Sequence, residues 1–159
     1  MNEENTNIKP MNRREERELA LRGIFQIDFH PEAADRDLSI KNFFENAGHG
    51  DKEDEVSGVS SGYAERIVLT VKNHLEEIDH AIETRLKADW SMKRLPHLEK
   101  AVMRLSAAEM MYMRVPKEVA INEGLELVKQ YGEMDNTSFV NGILNQIATQ
   151  YAKPDKEAE

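Results

Sequence analysis

The chain has no cysteine among its 159 residues. That absence excludes disulfides, thiolate zinc sites and cysteine nucleophiles together, and it fits a reducing compartment. No stretch approaches the ~18 consecutive apolar residues of a membrane helix, and the polar opening from Met1 to Pro10 lacks the apolar core of a secretion signal. A protein neither inserted nor exported, residing in the cytoplasm with no membrane contact, is expected. Walker-type phosphate loops, a GxGxxG fingerprint and a GxSxG elbow are also missing. The histidines His30, His49, His74, His80 and His97 include no i, i+4 pair flanking a helical carboxylate, the spacing a zinc-protease site requires. Acidic pairs such as Glu76 and Glu77 read as solvated helix faces. No metal, cofactor or catalytic residue is expected, and the chain reads as a non-enzyme.

What is present is ordinary for a globular protein: 40% hydrophobic and 32% charged residues, in a length suited to one core. The formal net charge of -9 opposes non-specific nucleic-acid binding, because phosphate affinity comes mainly from Lys and Arg displacing counterions. Any RNA binding must therefore be local, through a basic or aromatic patch or with a partner that supplies positive charge.

Apolar residues recur at helical spacing in segment after segment, with no sustained strand alternation, so the fold class is all-α. A first helix is expected over 12–29, with Ala20, Ile24 and Ile27 in line and Pro31 beyond its end. Ile40, Phe43, Phe44 and Ala47 mark a short second helix stopping at Gly48. The stretch GHGDKEDEVSGVSSG, 48–62, reads as an exposed loop. Ile67, Val71, Leu75, Ile78 and Ile82 keep one stripe from Tyr63 to Lys87, the longest helix expected. A fourth helix follows Pro96, apolar on two sides: Leu98, Ala101, Val102 and Leu105 on one, Met103, Ala107, Met110 and Met111 on the other. That pattern places it centrally. Pro116 is expected in the first turn of a fifth helix, closed by Gly132, with Ala120, Ile121, Gly124, Leu127 and Val128 on its buried side. Asp135 or Asn136 is expected to cap a sixth, striped by Val140, Ile143, Leu144, Ile147 and Tyr151. Residues 1–11 and 153–159 read as polar tails around a single domain, 12–152.

Two stretches go beyond periodicity. From Arg94 the chain reads RLPHLEKAVMRLSAAEM, then VPKEVAINEGLELVKQYG, then DNTSFVNGILNQIA, and near the N-terminus it reads NRREERELALRGIFQIDF. These segments are similar to the NusB family: its arginine–leucine helix, VP turn, INE helix and FVNG helix start, and its arginine-rich opening helix. The resemblance implies a NusB-like helical bundle of two small helical subdomains, the first helix lying against the C-terminal ones. It implies transcription antitermination: pairing with the ribosomal small-subunit protein NusE, binding boxA RNA, and helping the RNA polymerase antitermination complex read through terminators in ribosomal RNA operons. The implied RNA face is Arg13, Arg14, Arg17, Phe25, Asp135 and Phe139, with Arg22 adding to its basic side. Glu99 carries over as the partner-binding position.

The residues themselves leave alternatives open. Arg13 and Arg17, one helical turn apart, suit neighbouring phosphates or glutamates of their own helix equally. Phe139 suits base stacking or packing at the core rim. Between Asn12 and Phe29 four arginines meet four acids, and Ser138 stands where the family often has lysine. A protein-binding or self-associating helical adaptor, a homodimer included, is the alternative function.

Overall fold

The computed structural model describes residues 9–47 and 58–151. The expected C-terminal tail, most of the N-terminal one, His49, and residues 48–57 of the glycine-rich acidic stretch lie outside the described residues. Among those described there is no strand; the chain runs through α1 (Arg13–Phe29), α2 (Ala33–Asn46), α3 (Tyr63–Asn73), α4 (Leu75–Glu83), α5 (His97–Tyr112), α6 (Lys117–Tyr131) and α7 (Thr137–Tyr151). Short 3₁₀ turns at Met92–Arg94 and Met134–Asn136 precede α5 and α7. The chain forms two compact units, Met1–Val68 and Leu69–Glu159.

In the first unit α1 starts where its cap dictates. Asn12 Oδ1 accepts from the Glu15 N–H at 2.8 Å while Glu15 Oε1 accepts from the Asn12 N–H at 2.9 Å, a reciprocal capping box. Leu19, Ala20, Ile24 and Ile27 are buried along the helix, and Ile40 is the buried residue of α2. The short second helix expected from Ile40 begins instead at Ala33. Its first two turns, AADRDLS, are polar and invisible to an apolar stripe. They are held locally: the Arg36 guanidinium donates to the His30 and Pro31 carbonyls, at 3.2 and 2.9 Å, satisfying acceptors just beyond the end of α1.

Of the stretch read as an exposed loop, residues 58–62 are irregular and exposed or half-buried, but they are tied to the residues before α1. Val59 exchanges backbone hydrogen bonds with Lys9 and Met11, at 2.8 and 3.0 Å, forming an isolated parallel bridge opposite Pro10. Gly58 makes this pairing with φ +100°, and a Cβ there would stand 2.8 Å from the Lys9 carbonyl oxygen. Only glycine fits.

The second unit is built around α5. From Glu99 to Met110 every residue of that helix is buried, as its two apolar sides require, and α4, α6 and α7 pack on it. Gly124 lets α6 approach closely: a Cβ there would lie 2.4 Å from Ser106 Oγ, a hydroxyl already donating to the Ala120 carbonyl at 3.0 Å. The Arg104 guanidinium grips Asp79 through two parallel bonds of 2.9 and 2.8 Å, tying α5 to α4.

Several expectations need correction here. The single helix over 63–87 is two, broken at His74 (φ -123°, ψ 29°), so α1 is the longest helix among those described. The stripe could not reveal the break, since Val71, Leu75, Ile78 and Ile82 stay nearly in phase across it. Pro116 stands at the N-cap, one place before the first turn of α6. Gly132 closes that helix in extended geometry (φ -111°), chosen for room: a Cβ would meet Leu98 Cδ2 at 2.4 Å and Glu99 Oε2 at 2.8 Å. The Asn136 amide donates to Glu99 at 2.9 Å, and Tyr151 is exposed instead of completing the α7 stripe.

Candidate nucleic-acid interface

On α1 the sequence shows equal numbers of cations and acids, but the fold treats them unequally. Glu16 is fully buried. Its carboxylate accepts from Ser60 Oγ (2.7 Å), Ser61 N–H (2.7 Å), Ser61 Oγ (3.0 Å) and Ala64 N–H (3.0 Å), capping the first turn of α3 from another helix. Burial pushes its pKa up, but the Ser61, Ser60 and Ala64 bonds together outweigh that and hold it below the ordinary value of 4.5. Glu15 is engaged in the capping box, and Glu18 and Asp28 are half-buried. Of the eight charged residues on α1, those standing exposed are Arg13, Arg14 and Arg22.

Arg13 lies over the Tyr63 ring, its Cζ 3.7 Å from the centroid, a cation–π contact that holds the guanidinium at the surface. Arg17 does not stand beside it as a second surface guanidinium, for it is only 5% exposed. Arg14 and half-buried Phe25 lie about three turns apart on one face of the helix. Arg22 is about half a turn round from Arg13 and borders an open groove of 660 Å³ between α1 and α2, with Gln26, Ser39 and Asn42. Arg13 is thus paired with Tyr63, Arg14 and Phe25 are aligned on one face about three turns apart, and Arg22 is set apart.

The remaining candidates belong to the second unit. Glu99, carried over as a partner contact, is 2% exposed, and its Oε2 accepts from the Glu133 N–H (3.2 Å) and the Asn136 amide (2.9 Å). It holds the turn that launches α7. Asp135 is exposed in that turn, and Phe139 follows, half-buried one position before the Val140 stripe. The Phe139 ring meets Trp90, centroids 6.1 Å apart and planes tilted by 39°. Trp90 is 45% exposed. Sequence reading missed Glu16, Tyr63 and Trp90. The single tryptophan was the one available signal; Glu16 gave none, its donors lying 44 to 48 positions away.

No group of three or more His, Asp or Glu suited to a metal occurs among the described residues, and no described helix is long and apolar enough to cross a membrane. Half-buried His74 stacks its ring on Tyr112, centroids 3.9 Å apart.

Comparison with known proteins agrees with the segments quoted above. The transcription antitermination protein NusB of Lysinibacillus sphaericus is 38% identical over 142 residues, covering 88% of this chain and 99% of the relative. Its namesake from Geotalea daltonii is 36% identical over 147 residues, covering 91% and 98%. Among solved structures, T. maritima NusB superposes with a TM-score of 0.74 at 30% identity, covering 94% of this chain and 99% of that one. A structure of antitermination factors NusB and NusE in complex with dsRNA does so with a TM-score of 0.69 at 28% identity, covering 87% and 97%. The family model of the NusB family matches residues 14–149, and with that extent of agreement the chain belongs to the NusB family.

Proposed function

We propose that this protein is a transcription antitermination factor that binds boxA RNA together with NusE and promotes read-through by RNA polymerase in ribosomal RNA operons. It works as a non-enzymatic adaptor in the cytoplasm. The observation that carries this reading is the sorting of charge on α1: the fold spends Glu15 and Glu16 on helix caps and leaves Arg13, Arg14 and Arg22 exposed. A helix neutral in composition therefore offers arginines to a phosphate chain. Arg13 and Arg14 contact phosphates, Phe25 and Phe139 offer rings to bases, and exposed Asp135 orients the strand at the α7 turn. Buried Arg17 and Glu99 act by positioning, Glu99 through its hold on residues 133–136. The relatives' shared name supports the antitermination role, and the NusB–NusE–dsRNA neighbour supports NusE and RNA as partners.

The test is an electrophoretic titration of boxA RNA with and without saturating NusE. Tighter binding to the pair than to either protein alone is expected, because an acidic body gains from a basic partner. RNA that binds neither the chain nor the pair would refute the reading.

A further inference from the structure

The segment between α4 and α5 is cationic in an acidic chain. From Thr84 to His97 it carries Arg85, Lys87, Lys93 and Arg94 against the single acid Asp89, while the whole protein bears a formal charge of -9. Arg85 is half-buried and engaged by the Ala81 carbonyl and the Gln150 side chain. Lys87, Lys93 and Arg94 are exposed. Arg94 donates to the Asp89 carbonyl at 2.8 Å, which fixes the guanidinium beside Trp90, and the three residues Asp89, Trp90 and Arg94 line an open hollow of 420 Å³. Packing leaves Trp90 45% exposed, with Phe139 supporting one part of the indole at 6.1 Å.

We propose that Trp90 and its flanking cations form a contact for single-stranded RNA, in which an unpaired base stacks on the indole while Lys87, Lys93 and Arg94 hold the adjoining phosphates. This rests on the RNA-binding reading above and extends it to residues that reading does not use. The chemistry selects the occupant. A large exposed aromatic alone would suit any apolar partner, but an aromatic beside Arg94, with exposed lysines on either side of it in sequence, on a protein of opposite overall sign suits an anionic chain carrying flat rings. The supporting contact with Phe139 matters because a ring already held loses little freedom when a base settles on it.

Trp90 is the only tryptophan, so its emission reports the contact directly. Labelled boxA RNA is titrated with the full chain and saturating NusE, following RNA anisotropy for wild type, Trp90→Ala, Trp90→Phe and Lys93→Ala. Indole emission is followed separately, with RNA and the chain alone at concentrations that saturate by anisotropy. Expected are quenching of the indole, about tenfold weaker binding for Trp90→Ala with an unchanged salt slope, and retention of most affinity by Trp90→Phe. Lys93→Ala should lower the logarithmic salt slope by about one unit or less. Melting curves verify that each variant is folded. If wild type binds RNA while folded Trp90→Ala binds equally well, the inference is overturned and the RNA-binding reading stands. The inference is also overturned if the loss from Trp90→Ala vanishes in a Phe139→Ala background, since the indole would then act only by bracing its neighbour. If wild type fails to bind with NusE present, both fall together.

Discussion

Arg13 and Phe139 would bind the same RNA by different physics, and salt separates them. Arg13→Ala should weaken binding and reduce the salt slope by roughly one unit or less, since each phosphate contact releases counterions. Phe139→Ala should weaken binding about as much and leave the slope nearly intact, because a stacked ring releases none. Salt-series binding curves on the folded proteins check both; rim packing alone would cost Phe139→Ala thermal stability and no affinity. Glu16 makes a separate prediction. Glu16→Ala strands four donors that are otherwise satisfied, and should cost about 3 kcal/mol in denaturant unfolding at neutral pH. Its pKa is lowered on folding, so its contribution is fully present above the ordinary value of 4.5 and is lost as pH falls through the lower folded value. The stability gap between wild type and Glu16→Gln should therefore narrow in acid. From the sequence Glu16 looked like an interruption of a basic helix. Nothing local to EERE distinguishes a solvated acid from one that caps a helix beginning 47 positions later.

At the scale of elements, period and caps made most helices legible. The ends of α1 and α6, the central burial of α5, and the Val140–Ile147 stripe of α7 follow from apolar spacing and breakers. The start of α2 and the break at His74 were hidden because the first is polar and the second preserves the stripe. Helix contacts were not legible either, since Gly124 reads as a poor helix residue until Ser106 is seen opposite it. Gly124→Ala should destabilise by about 1–3 kcal/mol despite the better helix propensity of alanine, because the new methyl displaces a buried hydroxyl. Adding Ser106→Ala should recover part of that loss. A thermal-unfolding double-mutant cycle measures the coupling, and simple additivity would refute the proposed clash.

For the whole molecule, net charge gave a constraint instead of a function. The value of -9 requires that any nucleic-acid contact be local, and the exposed arginines of α1 are the locality proposed for it. Family segments identified which locality to examine; which side chains are spent internally became visible only in the fold, as with Arg17 and Glu99. The net charge of -9 predicts kinetics. Association with a basic partner such as NusE should be electrostatically steered, so its rate constant should fall steeply between low and physiological salt while dissociation changes less. Stopped-flow measurements over a salt series check this, and a flat association rate would exclude steering.

The carboxylate clamp on α3 also makes the first unit observable amide by amide. Ser61 and Ala64 donate their N–H groups to Glu16, so their deuterium uptake depends on whether that one side chain is charged. After correction for intrinsic rates, protection at these two positions should collapse together as the carboxyl takes up its proton, giving a site-resolved titration of a group whose own resonance need never be assigned.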